Sequence, residues 1–514
     1  MSLLRTSALA LLGVLALEVS ALAQDDVDET AAETEPSVPP EASPEPEASP
    51  DPDKIDVEQP PTPEVSPGAT PEAAPDATVT ATADAVKAAE TGFAFGSYGR
   101  VSMGSDLRGG APERISVVAH PPRIVEPSYV ETDLYYRWLT KKGVKLRTVT
   151  TLAFDDTLFH YTGEFDAQPA LRNLFLEARL PSGLTLWAGS RMYRGDDIYL
   201  FDYWPLDDVN TLGAGASLEK KRWNAAVHVG TNRLLDPFQY QTDEVAAPDT
   251  GATTIEVLDR QRVIATAMAT AFFDVAGLHT KAKLYAELQQ LASGQRQRAD
   301  DTIEELAADH GVSLGAQLGA WGFGGGASHA NLFVRYAKGL SAFDELAAPR
   351  GLDQKFSSWP GASEFVVGTG AALEHRLFNV AGAAYARRFV DADASTRDRD
   401  DGWEYAADVR PQVAVGGDVM AGIDLSYQAR FPRGVSPTTL LAADPAVFQI
   451  APMVVYAPMG RGAHDRPQLR LVWRAAHLND AALDLYAVSD PRRGHAWVHF
   501  LGVQAEWWFN SSTR

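Results

Sequence analysis

From Gly92 to Phe509 the chain alternates apolar and polar residues with a period of two, segment after segment. In Tyr129–Trp138, one face carries Val130, Thr132, Leu134, Tyr136 and Trp138, and the other Tyr129, Glu131, Asp133, Tyr135 and Arg137. Leu174, Leu176, Ala178 and Leu180 oppose Asn173, Phe175, Glu177 and Arg179 in the same way. Lys283–Gln289, Asn331–Tyr336 and Gln468–Ala475 repeat it, the last with Leu469, Leu471 and Trp473 against Arg470 and Arg474. Successive side chains of a strand point to opposite faces, so this pattern predicts many half-apolar β-strands.

The punctuation agrees. Pro181-Ser182-Gly183 and Lys141-Lys142-Gly143 read as short turns, whereas Asn232–Arg260, Gln290–Gly311 and Asp391–Gly402 read as long polar connections. Short turns on one side and long loops on the other are the arrangement of a transmembrane barrel. Asp300–His310, acidic and short, is expected to add a helical turn or two to its loop. A soluble sandwich would alternate as well. Against it stand the size of the alternating region, large for one sandwich core, and the aromatic residues Tyr136, Trp138, Trp507 and Phe509 near strand ends, suited to a membrane girdle. The expected fold is therefore all-β, a closed transmembrane antiparallel β-barrel in which no backbone group meets lipid unpaired. A soluble all-β protein is the alternative.

The first 90 residues are of other kinds. Arg5, the apolar run Ala8–Leu17 and Ala21-Leu22-Ala23 make residues 1–23 a secretory signal, too short to span a bilayer. No other stretch of eighteen uninterrupted apolar residues follows, which excludes a helical transmembrane protein. Residues 24–90 hold thirteen Pro, eighteen Asp or Glu, two Lys and no aromatic residue, a net charge of 2 − 18 = −16 out of the chain's −23. Such a segment cannot bury enough apolar surface to offset its ordering entropy and is expected to be a disordered tether. Residues 91–514 are the barrel. The acidity belongs mostly to the tether, and no basic face for nucleic acid is visible. With no Cys in the chain, disulfides, thiolate metal sites and a Cys nucleophile are excluded.

Within the strand region, Trp187–Trp204 packs two Trp, three Tyr, one Phe, two Arg and three Asp into eighteen residues. The run LWAGSRMYRGDDIYLFDYW, Leu186 to Trp204, followed by Gly213-Ala214-Gly215, resembles a stretch of the maltoporin-like carbohydrate porins. FAFGSYGR at 93–100 is similar to the first strand of that family, FLGVQAEWWF at 500–509 to its last, and YVETDLYYRW is a weaker match. The resemblance implies an outer-membrane barrel of about 18 strands, a homotrimer embedded in outer-membrane lipid with the tether in the periplasm. Sugars would pass along aromatic residues set between charged side chains. A pyranose has an apolar CH face and a hydroxyl rim, so rings hold the face while charged groups bond the rim, and the contacts must be weak enough to permit exit.

Carried over residue by residue, the resemblance places Tyr98, Arg100, Arg172, Asp202, Trp204 and Trp508 in the pore. Alternation agrees for three of them: Tyr98 and Arg100 share a face with Ala94, Gly96 and Ser102, and Trp508 shares one with Gln504 and Glu506. The departures are Trp204 where the family has Tyr, Asp133 at the second path aromatic, Gly195 at a constriction arginine, and five residues beyond Phe509. For Trp187, Tyr193, Tyr199 and Tyr203 the bland alternative is packing. For Arg191, Arg194, Arg470 and Arg474 it is a solvated pore wall. The pairs Asp196-Asp197 and Asp207-Asp208 lack a spaced ligand loop and read as surface charge. The scattered His residues suggest no metal site, and no catalytic residue or cofactor is expected. A general diffusion porin is the main alternative function. A barrel enzyme using carboxylates such as Glu131 and Glu177, or an exported soluble glycan-binding protein, stands behind it.

Overall fold

The computed structural model describes residues 91–154, 169–233, 239–324, 327–343, 361–390, 401–435 and 440–512; the signal and tether expected over residues 1–90 lie outside them. Where the sequence alternates, the described residues form strands. The first seven are β1 (Gly92–Ser105), β2 (Tyr129–Leu139), β3 (Lys145–Phe154), β4 (Ala170–Arg179), β5 (Leu184–Arg194), β6 (Asp208–Lys220) and β7 (Trp223–Asn232). A loop hairpin, β8 (Tyr240–Ala247) with β9 (Gly251–Asp259), precedes β10 (Arg262–Val275) and β11 (Leu278–Leu291). A second hairpin, β12 (Gly294–Gln297) with β13 (Ile303–Leu306), precedes β14 (Asp309–Phe323) and β15 (Ser328–Gly339). The expected helical turn at 300–310 is thus a strand pair, because cross-strand ion pairs such as Arg296–Glu304 (2.6 Å) are available to it. Then come β16 (Ser363–His375), β17 (Phe378–Val390), β18 (Gly402–Gly416) and β19 (Val419–Pro432). The last three are β20 (Ala446–Tyr456), β21 (Gln468–Leu478) and β22 (Trp497–Phe509).

Leaving out the two loop hairpins, eighteen strands form one antiparallel sheet, each paired with its neighbours in the chain. β22 closes it on β1 with Ser97 opposite Phe509 and Ser105 opposite Leu501. Closure satisfies every ladder without an edge. The connections split as the punctuation predicts. Ala276-Gly277 turns β10 into β11 with both residues at positive φ (52° and 81°), the geometry of a two-residue hairpin. The outer surface is apolar, with Leu284, Leu288, Leu314, Leu318, Leu469 and Leu471 exposed. Exposed rings ring both ends: Phe93, Trp223, Phe273, Phe378, Tyr456 and Phe509 near the turns, and Tyr336, Trp403, Phe431, Phe448 and Trp497 near the loops. An apolar band with aromatic girdles is what a bilayer selects.

Two loops fold into the barrel. The connection before β2 buries Ile115, Val117 and Val118, and the connection between β5 and β6 buries Ile198, Leu200, Phe201 and Leu206 in the same cluster. The wall makes room. Gly368 faces Ile198 and Gly315 faces Leu206, and Ala381, Ala383 and Ala406 continue the smooth strip. Each buried aliphatic or aromatic side chain contributes roughly 1.5–3 kcal/mol, so apolar burial alone holds the second loop inward by several kcal/mol.

The residues beyond Phe509 also turn inward. Asp133, fully buried, accepts from Ser512 N (2.7 Å) and Ser512 Oγ (2.6 Å) and from Thr151. Tyr135 donates to Asn510 O (2.7 Å). The acidic residue at a family aromatic position therefore anchors the tail of this chain. Truncation after Phe509 should lower the heat-unfolding midpoint, because an unpartnered buried acceptor costs about 1–3 kcal/mol; an unchanged midpoint would refute the anchor.

Candidate functional site: the lumen wall at β22, β1 and β2

Strand register builds the site. Across the closing seam Tyr98 lies opposite Trp508 and Arg100 opposite Glu506, and across the next ladder Tyr98 lies opposite Glu131 and Arg100 opposite Tyr129. These inward residues and their loop partners line a cavity of about 110 Å³ bounded by Tyr98, Arg100, Tyr129, Glu131, Arg172, Arg194 and Asp202. Tyr98 stands 6.0 Å from Tyr129 and 6.5 Å from Trp508, centroid to centroid. Its hydroxyl accepts from Arg100 Nη1 (3.2 Å) and Arg123 Nη2 (3.1 Å). Arg172 pairs with Glu131 at 2.9 Å and donates to the Tyr129 hydroxyl.

The loop between β5 and β6 supplies the opposite side. A 3₁₀ turn over Tyr199–Phe201 ends at Asp202 in the left-handed region (φ 51°), and Ile198 N donates to Tyr203 O (2.7 Å). Asp is tolerated at such a φ better than bulkier residues. The turn aims the Asp202 carboxylate at Arg100 (3.4 Å) and Arg123 (3.7 Å). Trp204 is only 8% exposed, with the Arg194 guanidinium 3.9 Å above its ring and Arg194 held by Asp208 at 2.8 Å. A Cβ at Gly195 would lie 1.9 Å from Asp207 Oδ1, so the side chain expected from the family would require Asp207 to move.

Of the six residues expected in the pore, Tyr98, Arg100, Arg172 and Asp202 line the cavity, Trp508 flanks Tyr98, and Trp204 lies beneath Arg194. Tyr129 and Glu131 were not expected there, although the inward face of YVETDLYYRW carries both. Arg123 sits in the loop before β2, where no periodicity exists to place it. Among the other candidates, Trp187 packs against Phe175, Tyr193 and His228 in a separate cluster. Tyr199 and Tyr203 are buried in the loop core. Arg470 and Arg474 are buried too, on Glu506 and Glu113 O, and are not a solvated wall. Glu177 is tied to Arg147 and Arg191.

The profile of the LamB porins matches residues 93–509. The chain belongs to the LamB porin family. It is thus an outer-membrane porin, a channel in class. No curated protein matches it by sequence. Among solved structures it is similar to Salmonella typhi OmpF in complex with daunomycin, with 9% identity, 82% of this chain and 98% of that one covered, and a TM-score of 0.37. Pseudomonas aeruginosa OccD3 (OpdP) shows 10% identity, 81% and 91% coverage, and a TM-score of 0.41. The Acinetobacter baumannii channel DcaP shows 10% identity, 81% and 98% coverage, and the same score of 0.41.

In this LamB-family porin one member of each acidic pair, Asp196 and Asp207, is structural. Asp196 receives Lys281 (2.9 Å) and Lys283 (3.4 Å), and Asp207 faces Lys283 at 3.6 Å. Burial opposes ionisation of Asp196, but Lys283 and Lys281 outweigh it and hold its carboxyl below the usual range. Burial instead raises Asp207, against Lys283. The reading as surface charge fails for Asp196 and Asp207, because β11 presents two lysines under the loop, whereas Asp208 is exposed. Among the described residues no group of three or more His, Cys, Asp or Glu could hold a metal.

The porin's His120 stacks on Tyr203 with centroids 3.6 Å apart. Burial lowers its pKa to about 3, with Arg387 adding to the effect. Its folded pKa lies below the unfolded value of about 6.5, so the unfolded chain binds the extra proton between them. Stability should therefore fall as pH drops from 7 to 5, by about 2 kcal/mol from this group. His120→Phe, which keeps a ring over Tyr203, should flatten that slope in heat-unfolding midpoints. An unaltered slope would assign the dependence to other groups.

Proposed function

We propose that this porin carries saccharides, maltodextrin-type or other oligosaccharides, by passive facilitated diffusion. One observation supports the reading most: the Tyr129, Tyr98 and Trp508 rings follow one another along the wall, with Arg100, Arg172, Glu131 and Asp202 beside them around one cavity. Rings suit the CH faces of a pyranose, and the flanking charges suit its hydroxyls. The pore path would comprise Tyr98, Arg100, Arg172, Asp202, Trp204 and Trp508, with Tyr129 and Glu131 added. We further propose that the porin is a homotrimer, that residues 1–23 are removed on export, and that residues 24–90 lie in the periplasm.

A general diffusion porin is the second reading, and the cover that Arg194 places on Trp204 favours it, since that ring face is taken. The test is single-channel conductance of the refolded protein in a planar bilayer, titrated with maltooligosaccharides and sucrose. Concentration-dependent block supports the sugar path. Open channels indifferent to every sugar move the reading to a general porin.

A further inference from the structure

The connections at the turn end contain two to five residues, except one. Between Tyr456 of β20 and Gln468 of β21 the chain spends eleven residues, 457–467. Short turns suffice to join antiparallel neighbours, so the extra length needs another reason. The segment folds back into the barrel. Ala463 N donates to Glu374 Oε1 (3.0 Å), and Asn379 Nδ2 donates to Arg461 O (2.6 Å). Ala463 joins the buried cluster formed by the two inward loops.

Arg466 is fully enclosed, with a side chain 0% exposed. Its Nε donates to Glu506 Oε2 (2.9 Å), it donates to the Tyr199 hydroxyl, and its Cζ lies 4.3 Å above the Trp508 ring. His464 packs edge-on against Tyr199 at 4.9 Å and lies 5.1 Å from His329. Tyr199 belongs to the loop that enters from the other mouth. An insertion from each end therefore meets at one tyrosine, beside the last ring of the path.

We propose that the turn 457–467 is a second constriction at the turn end of the lumen, and that Arg466, bound to Glu506, Tyr199 and Trp508, is the positioning residue that latches it shut. The proposal deepens the sugar-path reading, in that anything leaving Trp508 toward the turn end must pass this contact. It also predicts a size limit that holds for any solute. Charge-assisted bonds in a water-poor site make a firm latch. Breaking it need not unfold the barrel, because Glu506 keeps Arg123 (3.2 Å) and Arg470 (2.7 Å).

The test uses the full-length porin and its Arg466→Ala, Arg466→Lys and His464→Ala variants in planar bilayers, in salt without sugar. Open-channel conductance and the largest polyethylene glycol that still lowers it are read together. Arg466→Ala should raise conductance at least about twofold and admit larger polymers, as a widened constriction does. Arg466→Lys, which can pair with Glu506 but cannot cover Trp508 as a planar group does, should fall between Ala and the parent. His464→Ala removes the ring contacts and leaves the Glu506 ion pairs, and should give a smaller rise in the same direction. Unchanged conductance and polymer cut-off in a folded Arg466→Ala protein would overturn the latch. Should Arg466→Ala not fold, an unchanged His464→Ala channel would do the same. Both readouts are independent of sugar, so a porin that no sugar blocks can still pass or fail this test.

Discussion

Tyr98→Ala is expected to weaken maltooligosaccharide block by about tenfold, since the loss of one stacking ring costs on the order of 1–1.5 kcal/mol. Tyr98 is the residue to remove because it is the middle ring, 6.0 Å from Tyr129 and 6.5 Å from Trp508. Its loss breaks the run of rings where either end ring would only shorten it. The hydroxyl can be separated from the ring. Tyr98→Phe keeps the ring and removes the oxygen on which Arg100 and Arg123 converge, so block should stay within about threefold of the parent if stacking dominates. Equal block in the parent and in Tyr98→Ala would reduce these rings to scaffolding.

Gly368→Leu should displace the loop between β5 and β6 and raise conductance severalfold, with block lost at the same time. A Cβ at 368 would lie 2.6 Å from Ile198 Cδ1, and Ile198 is fully buried. The loop backbone is braced at that residue by its bond to Tyr203. Overpacking of this kind costs about 1–3 kcal/mol or more. A barrel wall stiffened by two ladders is harder to move than the thirteen-residue loop, 195–207, resting on it, so the loop should give way. Asp202 and Trp204 would leave with it. Gly382→Leu is the control, on the opposite face of the neighbouring strand where the nearest atom is 4.0 Å away. A Gly368→Leu channel with parental conductance and block would show that the loop does not set the constriction.

How far the sequence reaches is clearest at the seam. Tyr98 and Arg100 on β1, and Glu506 and Trp508 on β22, could be assigned to the inward side from alternation alone. The structure pairs them as direct neighbours. Tyr129 and Glu131 were legible by the same rule, and were overlooked only because nothing in one strand says which strand will lie beside it. Asp133 shows the opposite case. Its face was evident, but its task, holding Ser512, depends on a tail more than 370 residues away.

The sequence by itself determined the strand-rich fold, the inward and outward faces of its alternating segments, the short turns and the apolar outer band, because a period of two is a local property of the backbone and its immediate solvent. Only the tertiary structure decided what fills the lumen. Three non-periodic segments, before β2, between β5 and β6, and at 457–467, meet around Tyr199 and Glu506. They do so because apolar side chains found a Gly- and Ala-lined wall, and because Arg123, Arg466 and Arg470 from separate parts of the chain reach one buried carboxylate. Such contacts join residues up to hundreds of positions apart. They depend on shape and charge in space, which no local pattern records.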